Sequence, residues 1–325
     1  MKLDRNGDAV WSSARAIFEN EKKIYDSVLL KFEGIDPNDD VYNCSIPFEY
    51  KGKRYIFGRV EPHDKWATSR VYLFEEVLPD VFKTIPTAIS HQLEDPFIAF
   101  INGEMIFGGV YVIKSKGEPV TYHTAFFRGT NPYDLTYFTT GPDYMKDIRL
   151  VQLPDGIGVF SRPNGYVGFQ IINDISELDD KVIANAPVID FISDDGYGGV
   201  NQCYYLDSGL IGILGHMVYP KKNSFGQTER VYVNIAAVFD PKTKKTVMNK
   251  IVGTRRCYPA SDRMRINNLN VPLDDTAFTS GIVMREDGKA DLYSGLSDSL
   301  EGRVTIDYPF EGYGKIVYGG NKFGE

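Results

Sequence analysis

Five glycines at near-equal intervals most constrain how this chain can fold. Each lies in the turn of a hairpin with two mainly apolar strands, and successive glycines are 51, 53, 53 and 79 residues apart. These turn glycines are Gly52, Gly103, Gly156, Gly209 and Gly288. Glycine tolerates the positive φ that tight hairpin turns require, as do Asn and Asp. Such an internal repeat indicates an array of similar units.

Each hairpin is followed by further strand-like sequence. These runs cover residues 70–76, 120–127, 166–172, 230–239 and 303–307. About four strands in a unit of roughly 50 residues, repeated five times, are typical of a β-propeller. We therefore predict an all-β fold, a five-bladed β-propeller. A β-sandwich is the structural alternative, but it does not explain the equal spacing.

The repeat also predicts the domain organisation. The 325 residues form one domain, with an N-terminal extension over about 1–34 and an insertion after blade four over about 241–275. Residues 20–34 are a candidate for the strand that closes the ring. The best helical pattern is short, over residues 12–23, with Ser12 or Ser13 as its N-cap.

Composition excludes several classes of protein. A net charge of −8 disfavours a nucleic-acid partner and binding to an anionic membrane. Three widely separated cysteines predict free thiols and no zinc site, and we expect no metal. There is no apolar signal core and no run of about 20 apolar residues, so we predict a cytoplasmic protein. The glycine-rich run 196–201 precedes no helical pattern and is weak evidence for a nucleotide site.

The repeat predicts one polar pocket built from all five hairpins. Polar residues open the first strands at matching distances before the turns, namely Asn43, Asp95, Asp147, Asn201 and Thr279. The second strands are antiparallel and return to the same end of the channel, carrying Arg59, Arg162, His216 and Asp298. A pocket at this end, lined by charged side chains, is a candidate functional site.

Each of these residues also has a purely structural interpretation. Asp95 could simply begin a strand, and alternation along the strand predicts that Glu94 points away from it. Arg59 and Glu61 share one strand face and could form a surface ion pair of little energetic value.

Two further groups near the pocket also have alternative interpretations. Lys146, Arg149 and Arg162 form a basic group that could be a solvated strand edge. His216 follows the apolar run 210–215, where a histidine is more often structural than catalytic.

The order of short motifs adds a resemblance. The chain contains EDP at 94–96, KD at 146–147 with a downstream RP, a glycine-rich GYGG, GH at 215–216 and YSGLSD at 293–298. This order resembles the five-bladed β-mannoside phosphorylases of glycoside hydrolase family 130. With VYNCSIPF at 41–48 and GRVEP at 58–62, it looks closer still to the mannosyltransferases and phosphorylases of glycosyltransferase family 108. The resemblance covers roughly residues 40–310.

The resemblance implies roles for individual residues. Asp95 matches the catalytic acid, and Arg162 and His216 match positions that help to hold phosphate, with Arg149 as a further phosphate candidate. The implied sugar-binding residues are Asn43, Arg59, Glu61, Asp147, Asn201, Gln202 and Asp298. The chain departs from family 130 at Phe97, where Arg is usual, and at Asn201 and Gln202, which replace prolines. No lysine near blade four matches one used for phosphate in some members.

The implied reaction is inverting phosphorolysis of β-mannosides, with β-1,2-linked oligosaccharides as the expected substrate, or the reverse mannosyl transfer. The partners are then an oligosaccharide and inorganic phosphate as co-substrate, with no cofactor, and relatives of this kind often form homo-oligomers. A phosphorylase needs one acid and a cationic clamp, whereas an inverting hydrolase needs a second carboxylate as base. We expect a raised pKa at Asp95. The alternatives are a hydrolase with Glu61 or Asp298 as base, a non-catalytic carbohydrate-binding propeller, and a transferase that uses a nucleotide sugar.

Overall fold

The computed structural model describes residues 7–66, 68–115, 118–191, 197–222, 226–265 and 273–323. Within these ranges, 23 strands form five sheets. Paired strands are antiparallel, apart from two short parallel pairs in the first sheet. No helix among the described residues is long and apolar enough to cross a membrane.

The N-terminal segment contains helix α1 (Gly7–Glu21) and strand β1 (Asp26–Leu29). The predicted helix is confirmed, but it begins five residues before Ser12, so the prediction of Ser12 or Ser13 as its N-cap is wrong. Trp11 packs into the apolar cluster of the third and fourth sheets, and Arg15 forms two hydrogen bonds with Asp275 of 2.7 and 2.6 Å. The helix therefore covers an outer surface of the sheets.

The sheets follow one another in the chain. The first contains β2 (Lys31–Glu33), β3 (Asp39–Tyr42), β4 (Phe48–Tyr50), β5 (Lys53–Pro62), β6 (Arg70–Leu78) and β7 (Val81–Thr84). The second contains β8 (Glu94–Ile101), β9 (Glu104–Ser115), β10 (Glu118–Gly129) and β11 (Thr136–Thr140), and the third contains β12 (Arg149–Leu153), β13 (Gly156–Ser161) and β14 (Gly168–Ile172).

The fourth sheet contains β15 (Tyr197–Leu206), β16 (Ile211–Lys222), β17 (Thr228–Asp240) and β18 (Lys245–Gly253). The fifth contains β19 (Ala277–Met284), β20 (Ala290–Leu296) and β21 (Leu300–Ile306), with β1 paired to β21 at its edge. Near the C-terminus, β22 (Ile316–Tyr318) joins β15, and β23 (Lys322–Phe323) joins β4. The short helices are α2 (Asp180–Ala184) and 3-10 turns at Pro163–Gly165, Ile175–Glu177 and Arg255–Cys257.

The five turn glycines have the predicted backbone conformation. Their φ angles are +73°, +80°, +139°, +86° and +82° in chain order. A side chain is strained at such angles, which explains why glycine recurs at these turns.

The sheets contact one another in cyclic order. Strand β8 contacts β5 on one side and β12 on the other, β12 contacts β15, and β15 contacts β19. The ring is completed where β20 and β21 contact β3 of the first sheet. The prediction of an all-β, propeller-like fold is confirmed.

The predicted insertion at 241–275 includes regular structure. Residues 245–253 are the strand β18 of the fourth sheet, so only the remainder connects the fourth sheet to the fifth. Residues 266–272 of that connection lie outside the described part of the chain.

The interfaces between sheets differ in polarity. Apolar clusters fill the contacts of neighbouring sheets, and Phe57, Ile157, Ile235 and Leu292 are buried members of four of them. Between the fifth and first sheets, a buried carboxylate is added. Glu301 is 1% exposed and accepts hydrogen bonds from the Cys44 amide at 3.0 Å and the Ser280 hydroxyl at 2.9 Å. Burial raises the pKa of Glu301 to about 8.

We expect Glu301→Gln to flatten the dependence of stability on pH. Because the folded pKa lies above the ordinary value of 4.5, protonation stabilises the fold fully below pH 4.5, and this contribution is lost as pH rises to about 8. The side-chain oxygen of a neutral Gln can accept the hydrogen bond of the Cys44 amide, and its NH2 group can donate to the Ser280 hydroxyl, so both contacts persist without a buried charge. Thermal unfolding between pH 5 and 9 should therefore show the variant gaining stability over the parent as pH rises.

The matched control is Glu286→Gln, which removes an exposed carboxylate in the hairpin turn of the same sheet. Its unfolding temperature should follow the parent at every pH. Parallel pH curves for Glu301→Gln and the parent would contradict the raised pKa.

Candidate functional site

The first strands of the sheets open with unusual backbone. Asn43, Asp95 and Asp147 have φ of +47°, +48° and +62°, and the pairing of β8 with β9 shifts register between Glu94 and Phe97. Register also shifts beside Asn201 in β15. A bulge of this kind turns side chains away from strict alternation. The local backbone conformation therefore sets the direction in which these side chains point.

Arg59 forms ion pairs with both carboxylates of the EDP motif. Its Nη1 lies 2.7 Å from Asp95 Oδ1, and its Nη2 lies 3.3 Å from Glu94 Oε1 and 3.4 Å from Glu61 Oε2. The expectation that Glu94 points away from Asp95 is wrong, because the bulge breaks the alternation on which it rested. Arg59 and Glu61 are 6% and 0% exposed, so they form a buried ion pair and not the surface pair considered above.

Asp95 has two differently placed oxygens. Oδ1 accepts hydrogen bonds from Asn43 Nδ2 at 2.9 Å and from Arg59, whereas Oδ2 lies 3.9 Å from Lys146 Nζ. Burial opposes ionisation, but Arg59 and Lys146 outweigh it and lower the pKa of Asp95. The expected raised pKa is therefore wrong for the protein without ligands, because two cations flank this carboxylate.

Lys146 is the most accessible cation beside Asp95. Its side chain is 39% exposed and donates no hydrogen bond within the described part of the chain. Desolvation opposes its charge, but Asp95 and Asp147 raise the pKa of Lys146. The ammonium is therefore charged at neutral pH and open to an anion.

Glu61 is fully engaged by the protein. Its Oε2 accepts hydrogen bonds from the Tyr42 hydroxyl at 2.7 Å and from Arg265 Nη1 at 3.1 Å, and its Oε1 accepts one from the Thr68 amide at 2.7 Å. With the Arg59 contact, both oxygens are occupied. Glu61 lies beside the site and fixes Arg59.

Arg162 and Asp147 form a second buried ion pair on the third sheet. Arg162 Nη1 donates a hydrogen bond to Asp147 Oδ2, and the guanidinium lies over the Tyr197 ring at 4.1 Å. The Arg162 charge outweighs burial and lowers the pKa of Asp147. Arg162 Nε and Nη2 are buried and have no hydrogen-bond partner among the described residues. A Cβ at Gly199 would lie 2.8 Å from Asp147 Oδ2, which explains a glycine there.

His216 lies next to this pair and is uncharged. Its Nδ1 is 2.7 Å from Asn201 Oδ1, and desolvation lowers the pKa of His216 to about 4. A cationic contribution from His216 to a phosphate clamp is therefore not available at neutral pH in the protein without ligands. Thr279, the fifth strand-opening residue, instead donates a hydrogen bond to the Gly215 carbonyl at 2.6 Å.

Arg149 and Gln202 mainly bond to the backbone. Arg149 Nε donates to the Asn201 carbonyl at 2.6 Å, Nη1 donates to the Ile148 carbonyl at 2.9 Å, and the guanidinium lies 4.1 Å from the centre of the Phe97 ring. Gln202 Nε2 donates to the Ile98 carbonyl at 3.2 Å. These contacts join the second, third and fourth sheets around the site.

Asp298 completes the pocket from the fifth sheet. It has a φ of +48° and forms neither a hydrogen bond nor an ion pair with the described residues. Desolvation, opposed by Arg59 and reinforced by Asp95, raises the pKa of Asp298 to about 6. This carboxylate is largely ionised at neutral pH and is open to a hydrogen-bond donor.

Several residues of the site lack an assigned role in the sequence analysis. Lys146 belongs to the basic group and to the KD motif described above, but neither gave it a role. The others are Tyr42, Tyr197, Tyr232 and Arg265. Tyr232 stacks on His216, while Arg265 is 1% exposed and bonds to Asp40 at 3.0 Å. Only the adjacent KD motif gave a signal for Lys146, and no motif marked Arg265, which comes from the connection between sheets.

The geometry allows acid catalysis beside an anion site. One oxygen of Asp95 accepts no hydrogen bond in the described region. Lys146 and the ion pair of Arg162 with Asp147 lie on the third-sheet side of Asp95, and Arg59 lies on the first-sheet side. Asp298 can accept hydrogen bonds from hydroxyl groups, and the side-chain amide of Asn43 can donate or accept them. Among the described residues, no group of three or more His, Cys, Asp and Glu residues could hold a metal ion.

The solved structures similar to this chain fall into two groups that differ in sequence identity. MPT-4, a mannose phosphorylase from Leishmania mexicana solved with a phosphate ion, is 50% identical with a TM-score of 0.91, covering 98% of this chain and 99% of that one. MPT-1, a GDP-Man-dependent mannosyltransferase from the same organism, is 44% identical with a TM-score of 0.88, covering 96% and 99%.

A glycosyl hydrolase from Bacteroides ovatus is similar only in fold. It is 16% identical, has a TM-score of 0.58 and matches 86% of each chain. No curated protein sequence matches the chain. The model of a family described as a protein of unknown function, DUF1861, matches residues 16–312. The chain therefore belongs to the DUF1861 family, and it is similar over nearly its whole length to a mannose phosphorylase and to a mannosyltransferase.

Proposed function

We propose that this protein is an inverting β-mannoside phosphorylase that can also run in reverse as a mannosyltransferase. The observation that carries the proposal is the environment of Asp95. One oxygen is held by Asn43 and Arg59, and the other faces the ammonium of Lys146. One acid beside an accessible cation fits a reaction in which an anion is the nucleophile. MPT-4, a mannose phosphorylase at 50% identity, supports this reaction, whereas MPT-1, a GDP-Man-dependent mannosyltransferase at 44% identity, supports mannosyl transfer in general.

The reaction balances with Asp95 as the only acid. A phosphate oxygen attacks C1 of the mannosyl unit, the bond from C1 to the glycosidic oxygen breaks, and that oxygen takes a proton. The products are mannose 1-phosphate of inverted configuration and a shortened sugar chain. Hydrogenphosphate brings one proton and the departing oxygen consumes one, so Asp95 relays a proton without net gain, directly or through a sugar hydroxyl.

The low pKa of Asp95 is compatible with this relay. Lys146 and Arg59 hold the carboxylate ionised in the protein without ligands. A phosphate dianion beside Lys146 offsets the positive field, which raises the pKa of Asp95 when the co-substrate binds. Protonation of the acid is then coupled to the presence of the nucleophile.

In the proposed reaction, phosphate binds on the third-sheet side of Asp95. Lys146 supplies an accessible ammonium, and Arg162 has two guanidinium nitrogens without partners in the described region. His216 offers a neutral ring, held by Asn201, and Arg149 supplies positive charge from behind Phe97. A preorganised cationic site of this kind stabilises the attacking anion without a general base.

The mannosyl unit is placed between Asp95 and the fifth sheet. Asp298 accepts hydrogen bonds from its hydroxyls, and Asn43 and Arg59 hold Asp95 in register with the glycosidic oxygen. Asp147, Asn201 and Gln202 shape the wall through their bonds to Arg162, His216 and the Ile98 carbonyl. Glu61 acts through Arg59, because its own oxygens are occupied.

Hydrolysis is the second candidate reaction, and one observation favours it. Asp298 is a carboxylate without a hydrogen-bond partner in the described region, and it is ionised above pH of about 6. Such a group could activate water as a base. The other hydrolytic base considered, Glu61, is a poor one because protein donors occupy it.

We further propose that each sheet is one blade of a five-bladed propeller within a single domain of residues 1–325. The third sheet has three strands. Beside β14, where a fourth strand would lie, the backbone of Pro187 and Ile189 forms hydrogen bonds with β14 and with the residue just before it. The segment of about 1–34 is the N-terminal extension, and the insertion after the fourth blade follows β18. Three buried free thiols favour a cytoplasmic location. Self-association remains a prediction for light scattering to test.

The defining experiment measures cleavage of β-1,2-linked mannooligosaccharides with and without inorganic phosphate. We expect mannose 1-phosphate, and a rate that saturates with phosphate. Cleavage to free mannose at the same rate without phosphate would establish hydrolysis instead. Binding without turnover would leave a carbohydrate-binding protein, and activity with GDP-mannose alone would identify a nucleotide-sugar transferase.

Asp95→Asn should lower the rate by about 10²–10⁴-fold, because the amide cannot deliver the proton. Arg59 keeps Glu94 and Glu61 as partners, so the fold should survive. The steady-state rate of mannose 1-phosphate release and the thermal unfolding temperature test both points. Asp155→Asn, in an exposed turn, is the matched control and should retain the parent rate. Full activity of Asp95→Asn would remove it from the acid role.

Lys146→Met should raise the KM for phosphate by about tenfold or more, since it removes the accessible ammonium while retaining most of the side-chain volume. The KM for the sugar should change much less. Initial rates over a matrix of phosphate and sugar concentrations measure both constants. Lys242→Met, which changes an exposed turn lysine, should leave both constants unchanged. An unaltered phosphate KM for Lys146→Met would place the anion elsewhere.

A further inference from the structure

Trp66 presents an exposed aromatic surface that contacts Arg265, a member of the ion-pair network around Asp95. It is 42% exposed, whereas the other tryptophan of the chain, Trp11, is 7% exposed. The Arg265 guanidinium lies 5.2 Å from the centre of the Trp66 ring and 5.1 Å from the centre of the Tyr42 ring. One face of the indole is therefore supported by a buried cation, and the ring retains substantial exposure.

The backbone around Trp66 is held by the residues that position Asp95. The Lys65 carbonyl accepts a hydrogen bond from Arg265 at 2.8 Å, and the Thr68 amide donates one to Glu61. Arg59 Nε donates to the Ser69 hydroxyl at 2.8 Å. These bonds give the indole a defined position relative to Asp95, which a flexible surface loop would not provide.

The position of Trp66 matches the path of a departing chain. Trp66 follows β5 in the chain. A series of contacts through Arg265, Glu61 and Arg59 connects it to Asp95, and these residues lie on the first-sheet side of Asp95. Lys146 and Arg162 lie on the third-sheet side. In an inverting displacement, the nucleophile and the leaving group occupy opposite faces of the transferred sugar. If phosphate enters beside Lys146, the rest of the oligosaccharide leaves towards the first sheet.

We propose that Trp66 is a sugar-binding subsite that stacks on a pyranose ring of the leaving chain, and of the acceptor chain in the reverse reaction. This inference rests on the proposed function for the direction of the chain. A pyranose has one face rich in C–H bonds, and an indole supplies a flat apolar surface that this face can cover. The ring lies beyond Glu61 and Arg265 from Asp95, so it contacts a sugar beyond the bond that is cleaved.

The subsite predicts a particular dependence on chain length. In the parent protein, kcat/KM should rise from the mannobiose to the longest chain that reaches Trp66. Trp66→Ala should lose up to about tenfold on the longer chains and less on mannobiose, so that this rise flattens. Trp66→Phe should restore part of it. The exposed-aromatic control is Tyr318→Ala, on strand β22 near the C-terminus, and it should keep the parent profile.

Fluorescence tests the subsite without turnover. In Trp11→Phe, Trp66 is the only tryptophan, so its emission reports directly on this surface. Titration with mannotetraose in the absence of phosphate should shift the emission to shorter wavelength, because the sugar excludes water from the indole. Mannobiose should produce a smaller shift. Thermal unfolding of Trp11→Phe confirms that the fold is retained.

The outcomes separate this inference from the proposed function. An unchanged chain-length profile in Trp66→Ala, together with no emission change, would overturn the subsite even if phosphorolysis is established. An emission change on adding mannotetraose supports the subsite even if the chemistry is hydrolysis. Cleavage without phosphate overturns only the proposed reaction.

Discussion

The site depends on a row of charges of alternating sign, which are buried except for Lys146 at one end. It runs from Lys146 to Asp95, Arg59, Glu61, Arg265 and Asp40, with neighbouring members 2.7 to 3.9 Å apart. An isolated buried charge is costly, so each member requires the next. The row joins the second sheet to the first and then to the connection before the fifth sheet. It therefore fixes the position of the acid through contacts that are distant in sequence.

The two ends of this row differ in exposure, and that difference defines the chemistry. At one end, Lys146 is accessible and has no hydrogen bond in the described region, so it can take an anion. Towards the other end, Arg265, which pairs with the terminal Asp40, is buried beneath the partly exposed Trp66. The proposed anion site and the proposed sugar surface at Trp66 lie on opposite sides of Asp95, which agrees with the opposite faces that the nucleophile and the leaving group occupy in an inverting displacement. Burial opposes the charge of Asp95, but the two cations beside it outweigh burial and keep it ionised in the protein without ligands.

The sequence predicted which residues converge more reliably than how they are aimed. The positions of Arg59, Asp95 and Asp147 followed from the repeat, because equivalent positions in similar hairpins lie at one end of the sheets. The side-chain directions did not follow, because the left-handed backbone at Asp95 breaks the alternation assumed for Glu94. Protonation was also mispredicted at Asp95, since the pKa depends on cations supplied by two other sheets.

By itself, the sequence determined the all-β, propeller-like repeat, the turns at the five glycines and the set of polar residues that gather at one end. These features rest on local backbone preference and periodicity, which a chain carries without its partners. The folded structure was needed to show that the oxygens of Glu61 are occupied, that His216 is neutral, that Arg149 bonds to backbone carbonyls, and that Arg265 enters from a connecting segment. Burial and charge pairing depend on neighbours brought together from separate sheets, and spacing along the chain does not encode them.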